Sequence, residues 1–374
     1  MMNLKTLNLQ KLSIVASIIL LNACNTLPEK YISSNSLETQ DLLDGTVLLG
    51  EKIKQSELPD DKVMEITEEM EVFLKDYVLR ANGPENRANL LSRALFDDDK
   101  LNLEYDPSQT FTAREAFENK VANCIAFSLL YITLADRLGL DATFQEVLIL
   151  PEWGEAEDGT YIESRHVNVN LYIHGSGQWV VDIDSIGKNL NLRATPLEKE
   201  HAQALYYGNV ASELMLDKKY KEAFRYFVKA IELEPSEASI WSNLGVLYRR
   251  VGLDEYAEKA YFIALDYETR NASALNNLAY LYKASGKNDR SEYYEKLAKA
   301  SQVKNPYFRY SRAQAAFDKY QFDLAEKHIN YAIRKNKSEP SFYDLKSKIH
   351  EMLGERIEAS KAFKIAQRLR AEAP

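Results

Sequence analysis

The chain has 374 residues, of which 45% are apolar and 28% are charged, and its formal net charge is −9. This composition is typical of a folded globular protein, and the negative charge excludes nucleic-acid binding through the net field of the chain. Two cysteines are too few for a disulfide scaffold or a four-cysteine zinc site.

The first residues predict an export signal. Lys5 and Lys11 precede an apolar run over residues 12–21, which is far shorter than the roughly 20 apolar residues that a membrane-spanning helix needs. A basic start, a short apolar stretch and small residues before a cleavage site are typical of a signal peptide. We therefore expect residues 1–23 to be removed.

The sequence Leu21-Asn22-Ala23-Cys24 resembles the lipobox of bacterial lipoproteins. The resemblance implies a diacylglycerol on the sulfur of Cys24 and an acyl chain on its amine, which together give stable membrane anchoring. Asn25, where an aspartate favours the inner membrane, indicates the outer membrane of a bacterial envelope, with the protein facing the periplasm. The polar residues 24–40 are interpreted as a tether.

Charge divides the mature chain near residue 204. Residues 24–203 hold 16 basic and 33 acidic residues, a net charge of −17, whereas residues 204–374 hold 29 basic and 23 acidic residues, a net charge of +6. The asymmetry predicts a boundary between domains 41–203 and 204–374. It leaves three interpretations open: faces that are merely solvated, docking of the two halves, or a cationic ligand on the first half.

The first domain has helical and stranded patterns. Apolar spacing predicts helices over 61–80 and 124–138, the second ending at Gly139. The polar stretch between them, with Asp97-Asp98-Asp99, is interpreted as a solvated turn. Alternating apolar and polar residues predict strands over residues 142–150, 166–173 and 178–184. We find no glycine-rich phosphate-binding motif, and no cofactor or metal is required.

The sequence around Cys124 bears on whether its thiol is structural or reactive. With Cys24 lipidated, Cys124 is the remaining thiol of a chain exported to a compartment that favours disulfides, so it is either buried and inert or retained for its reactivity. It falls in the first turn of a helix, where unpaired N–H groups favour the thiolate. A hairpin of the last two strands brings His166 near Asp182 or Asp184, and spacing alone does not choose between the two acids.

A helix-terminal cysteine, then a histidine and an aspartate on adjacent strands, resembles the transglutaminase-like domain, an α+β, papain-like fold. The resemblance covers about residues 60–190 and rests on Asn-Cys before a leucine-rich helix closed by Arg-Leu-Gly-Leu, on the strand begun by His166, and on Trp-Val-Val-Asp. It implies Cys124 as nucleophile, His166 as base and Asp182 as the group that orients the imidazole, with Asp184 as its substitute.

The second domain repeats every 34 residues. Trp241, Leu244, Gly245 and Tyr248 fit W-x-x-L-G-x-x-Y, and one register holds alanine in five successive units: Ala230, Ala264, Ala298, Ala332 and Ala366. This period resembles the tetratricopeptide repeat, an all-α solenoid of paired helices.

Five units are expected, with starts near residues 204, 238, 272, 306 and 340. The small residues allow close helix approach, and aromatic residues such as Tyr261 and Phe363 are expected to fill the gaps. Glu295 stands where an aromatic residue is expected, and the fourth unit lacks the Trp-Leu-Gly start, so we expect both units to pack less tightly.

Together these patterns predict a lipid-anchored envelope protein with a thiol-dependent acyl-transfer domain and a repeat array that docks a protein or peptide. The chemistry is amide-bond hydrolysis or transglutaminase-like transfer, and peptidoglycan amide chemistry would share the mechanism with another substrate. The alternative is an inactive transglutaminase-like fold that serves as a binding scaffold, since a fold does not fix its function.

Overall fold

The computed structural model of the chain describes residues 36–147, 154–155, 161–162, 166–183, 194–304 and 306–371. The predicted signal peptide, Cys24 and the tether up to residue 35 lie outside the described residues, as does Asp184. Among the helices of the described ranges, none has the length and apolar character that a membrane span requires.

Short helices surround one central helix in the first half. The helices are α1 (Thr39–Leu43), α2 (Thr46–Leu49), α3 (Glu68–Tyr77), α4 (Pro84–Phe96), α5 (Ala113–Asn119) and α6 (Cys124–Arg137). Every residue of α6 from Ile125 to Ala135 is buried, because its side chains are apolar on all faces. Gly139, at φ 68°, takes the left-handed conformation that ends α6, as its sequence predicts.

A four-stranded antiparallel sheet covers α6. The strands of the described residues are β1 (Glu104–Tyr105), β2 (Val121–Ala122), β3 (Asp141–Val147), β4 (Gly154–Glu155), β5 (Tyr161–Ile162), β6 (His166–Ile173), β7 (Gly177–Val181) and β8 (Ala194–Leu197). The sheet order is β7-β6-β3-β8, and α6 packs against β6 and β3. The predicted hairpin is confirmed, with Val169 paired to Val181.

The second half is a row of helix pairs, as the 34-residue period predicts. The pairs are α7 (Lys199–Leu216) with α8 (Tyr220–Leu233), α9 (Ala238–Arg250) with α10 (Asp254–Tyr267), α11 (Ala272–Ala284) with α12 (Asn288–Lys304), α13 (Pro306–Asp318) with α14 (Phe322–Lys335), and α15 (Pro340–Met352) with α16 (Arg356–Ala371). The alanines of the shared register are at most 1% exposed, which lets paired helices approach closely.

Aromatic packing in the array differs in part from the sequence prediction. Tyr261 is fully buried against Gly245, where an added Cβ would lie 2.5 Å from the ring. Phe363 is 48% exposed, so its prediction as a gap filler is wrong; it lies on α16, the last described helix. The aromatic side chain that position 295 lacks is supplied by its neighbour Tyr294. Tyr294 is buried and stacked on Tyr282, with ring centroids 5.4 Å apart.

The two halves share one hydrophobic core, which continues across the predicted boundary at residue 204. The core runs without a break from Leu42 in α1 through α6 to Ala298 in α12. Helix α1 begins at Thr39, inside the predicted tether, and α7 begins at Lys199, ahead of the predicted repeat start. A second, separate core begins at Tyr310 and serves the fourth and fifth pairs. The looser packing expected for the third and fourth units stays a prediction.

The N-terminal segment, residues 36–64, lies along the first two helix pairs. The Tyr248 hydroxyl donates a hydrogen bond to the backbone carbonyl of Leu42, which is fully buried. Acidic side chains of the segment meet basic side chains of α8 in the ion pairs Asp61–Lys229 and Glu57–Arg225. Among the interpretations of the charge asymmetry, the described contacts therefore favour docking of the two halves.

Candidate functional site

The site begins at the N-terminus of α6. Asn123 is the N-cap, with its side-chain oxygen accepting from the backbone N–H of Ala126 at 2.9 Å. Cys124 is the first residue of the helix and is half-buried, so its sulfur is neither enclosed in the core nor fully in water. The N–H groups of the first turn carry partial positive charge beside Cys124.

His166 and Asp182 meet at the open end of the β6–β7 hairpin. The Nε2 atom of His166 lies 2.7 Å from Oδ2 of Asp182. The same Oδ2 atom also accepts a hydrogen bond from Asn168 Nδ2 at 2.9 Å. Asp182 is fully buried and His166 is 8% exposed. With Nε2 held by the carboxylate, Nδ1 is the ring nitrogen that remains for the thiol of Cys124.

Charges and hydrogen bonds set the protonation of His166. Burial lowers the pKa of the imidazole, but the hydrogen bonds to Asp182 and Cys124, together with the charges of both groups, outweigh burial and raise the pKa to about 10. A pKa of about 10 keeps the ring protonated at neutral pH beside the sulfur. A protonated imidazole beside a thiol is the pairing that nucleophilic cysteine chemistry uses.

Ser128 connects α6, the helix that begins with Cys124 and is called the thiol helix below, to β6, the strand that begins with His166. Its hydroxyl contacts the backbone carbonyl of Cys124 at 2.8 Å and that of Val167 at 3.4 Å, and the residue is fully buried. This contact was not predicted, although a hydroxyl one helical turn after a cysteine in a mostly apolar helix was a visible signal. The contact joins the backbone of α6 at Cys124 to the backbone of β6 next to His166.

Cys124 opens onto a cleft of about 230 Å³. The first half contributes Cys124, Ile125 and Val167 to its lining. The first two helix pairs contribute Leu205, Asn209, Ser212, Glu213, Ile240 and Asn243. The common cleft of the two halves could not be predicted from the sequence, since no local pattern reports which helix faces meet.

Glu213 of α7 reaches from the array to the N-cap of the thiol helix. Thr110 donates to Glu213 through its hydroxyl at 2.6 Å and through its backbone N–H at 3.3 Å. Asn123 Nδ2 donates to the same Thr110 hydroxyl at 2.7 Å. Burial raises the pKa of Glu213 above its usual value, against the bonds from Thr110, which lower it. Neither Thr110 nor Glu213 was predicted from the sequence.

Of the candidate residues, Cys124, His166 and Asp182 are brought together, and Asp182 is the acid on the imidazole. The substitute acid Asp184 and the lipidation residue Cys24 lie outside the described residues. Within the described ranges no group of three His, Cys, Asp or Glu side chains has the arrangement of a metal site. A thiol beside an imidazole that a carboxylate holds is an arrangement that supports nucleophilic chemistry at Cys124.

No protein-family model and no curated protein sequence matches the chain. Similar solved structures include MamA, with 18% identity over 45% of this chain and 92% of that chain and a TM-score of 0.25. PilF of Pseudomonas aeruginosa has 16% identity over 46% and 78%, with a TM-score of 0.28. YrrB, a TPR protein with an unusual peptide-binding site, has 16% identity over 45% and 87%, with a TM-score of 0.25. The C-terminal half is a helical repeat scaffold by its own helix pairs and period.

Proposed function

We propose that this protein is a thiol-dependent acyl-transfer enzyme that acts on an amide bond of a protein or peptide held against its repeat array. The observation that carries the proposal is the cluster of Cys124, His166 and Asp182, whose cysteine lines a cleft that residues of the first two helix pairs also line. A lipid on Cys24 would hold this enzyme at the bacterial outer membrane, facing the periplasm.

The first chemical step forms a thioester. The thiolate of Cys124 attacks the amide carbonyl carbon, the S–C bond forms, and the electron pair of the C–N bond leaves with the amine. The imidazolium of His166 gives its proton to that amine, while Asp182 keeps the ring oriented. Backbone N–H groups at the start of α6, including that of Cys124, face the developing oxyanion.

The second step releases the acyl group. Water or an amine attacks the thioester carbon, and neutral His166 takes the proton of the attacking group. The S–C bond breaks, and the thiolate–imidazolium pair is restored. Hydrolysis and amide transfer thus use the same three residues and differ only in the attacking group.

The test is the rate at which iodoacetamide alkylates Cys124 at pH 6, followed at the Cys124 peptide by mass spectrometry. A cysteine with a pKa of about 8.5 is almost wholly protonated there and reacts slowly. We expect fast alkylation in the wild type and a loss of at least about tenfold in His166→Ala, because the thiolate loses its partner cation. His174→Ala, in the exposed turn after β6, is the matched control and should react like the wild type.

The second candidate function is a binding scaffold in which the thiol takes no part. The repeat array favours it, because a row of helix pairs presents a surface for a protein or peptide without any chemistry. Slow alkylation at pH 6 with no difference between the wild type and His166→Ala would select this scaffold and reject the enzyme.

A further inference from the structure

The polar contacts between the array and the thiol helix form a continuous chain. Glu213 accepts from Thr110, Thr110 accepts from Asn123, and Asn123 accepts from the backbone N–H of Ala126. Thr110 and Asn123 are 8% and 6% exposed, so water does not readily replace these bonds. Each side chain also lines the cleft in front of Cys124.

In this chain of side chains, the donor and acceptor of each hydrogen bond determine which group donates in the next one. A carboxylate only accepts, so the hydroxyl of Thr110 must donate to Glu213 and keeps a lone pair for Asn123. That lone pair selects the NH₂ end of the Asn123 amide, which turns its oxygen to the N–H of Ala126. Without the carboxylate, the hydroxyl can rotate, and the amide loses the contact that prevents it from flipping its NH₂ towards the N–H groups of α6.

We infer that Glu213 is a positioning residue for Cys124: through Thr110 it orients the Asn123 side chain that caps the thiol helix, and so makes the reactivity of the thiol depend on the first helix pair of the array. The inference rests on the proposed function, which makes Cys124 the reacting group. A peptide in the cleft contacts Glu213 and the thiol from the same side, which gives the array a route to regulate the thiol.

The direction in which the alkylation rate of Cys124 changes distinguishes positioning by Glu213 from a direct effect of its charge. Glu213 lines the same cleft as Cys124, and by Coulomb's law alone the removal of a negative charge there favours the thiolate and speeds alkylation. Loss of the cap orientation acts the other way, because it weakens the positive end of α6 at Cys124 and disfavours the thiolate. A variant that removes the charge and slows alkylation is therefore explained by positioning only.

The experiment measures the pH dependence of Cys124 alkylation in the full chain, again read at the Cys124 peptide. For Glu213→Gln we expect the midpoint of the profile to move to higher pH and the rate at pH 6 to fall about fivefold, the size expected for a lost N-cap. Thr110→Val should have the same effect, and Thr110→Ser, which keeps the hydroxyl, should restore the wild-type profile. Asp217→Asn, which removes a neighbouring charge without touching Thr110, is the matched control.

The outcomes distinguish this inference from the proposed function. If Glu213→Gln and Thr110→Val leave the profile unchanged or move it to lower pH, as Asp217→Asn would by charge alone, the inference is wrong. The comparison of the wild type with His166→Ala at pH 6 then still decides the proposed function by itself. Circular dichroism of each variant at pH 6 and 8 verifies that the chain is folded. If Glu213→Gln does not fold, the conservative pair Thr110→Val and Thr110→Ser decides the inference.

Discussion

At the scale of single residues, His166 determines what the site can do. Its Nε2 is held by the buried Asp182, and its pKa of about 10 reflects the pull of Asp182 and Cys124 against burial. The sequence supplied the three residue types and their order along the chain. It left Asp182 and Asp184 open, because both acids share a face of the strand, and the described contacts place Asp182 on the ring.

The raised pKa of His166 gives a prediction on stability. Relative to a pKa of 6.5 in the unfolded chain, the folded chain holds the imidazole proton more tightly. The contribution of His166 is therefore fully present below pH 6.5 and is lost as the pH rises through about 10. Asp182→Asn, which removes the partner charge, should thus destabilise the protein more at pH 6 than at pH 10.

The measurement is the urea midpoint of the wild type and of Asp182→Asn at both pH values. The difference between the two chains should shrink at pH 10. An equal difference at both pH values would mean that the proton on His166 does not contribute to the pairing with Asp182.

At the scale of elements, the strongly patterned segments were predictable and the weakly patterned ones were not. Helix α6, the β6–β7 hairpin and the helix pairs follow from apolar spacing, a glycine turn and a fixed period. Helix α4, Pro84–Phe96, was missed in a stretch interpreted as polar. Its buried residues are Ala88, Leu91, Ala94 and Leu95, a narrow apolar stripe among polar side chains that gives a weak pattern.

The Gly245–Tyr261 contact gives a prediction for the array. An alanine Cβ at position 245 would lie 2.5 Å from the buried ring of Tyr261, so ring or helix must move. We expect Gly245→Ala to lower the free energy of unfolding by about 1–3 kcal/mol, the usual cost of overpacking. Alanine at Gly208 on α7 would meet only Ile240, at 3.3 Å, and should be close to neutral because helical alanine is intrinsically favoured over glycine.

Thermal unfolding followed by circular dichroism measures both variants in parallel. A destabilisation of Gly208→Ala as large as that of Gly245→Ala would show that the loss does not come from the Tyr261 contact.

At the scale of the whole molecule, the two halves are joined by a common core and a common cleft. No local sequence pattern reports this, because the contacts that carry it, such as Tyr248 with Leu42 and Glu213 with Thr110, join residues more than a hundred positions apart. Charge asymmetry was the only sequence signal, and it did not specify which surfaces meet. The core ends at Ala298 and starts again at Tyr310.

This break predicts two regions of different stability. Leu42→Ala removes a fully buried side chain from the first core, and Ile329→Ala does the same in the second. Each should cost about 2–5 kcal/mol where it acts. Hydrogen exchange should rise in α1 and α9 for Leu42→Ala and in α13–α16 for Ile329→Ala. A uniform rise along the chain in either variant would show a single cooperative unit.

The central claim is that Cys124, ionised by His166, accepts an acyl group from an amide in the cleft. The most direct measurement is the mass of the Cys124 peptide after the full chain is incubated with peptides from bacterial envelopes and quenched in acid. The account predicts a hydroxylamine-sensitive thioester on Cys124 that is absent in His166→Ala and present in His174→Ala. An unmodified Cys124 peptide in the folded wild type, or the same adduct in His166→Ala, would contradict it.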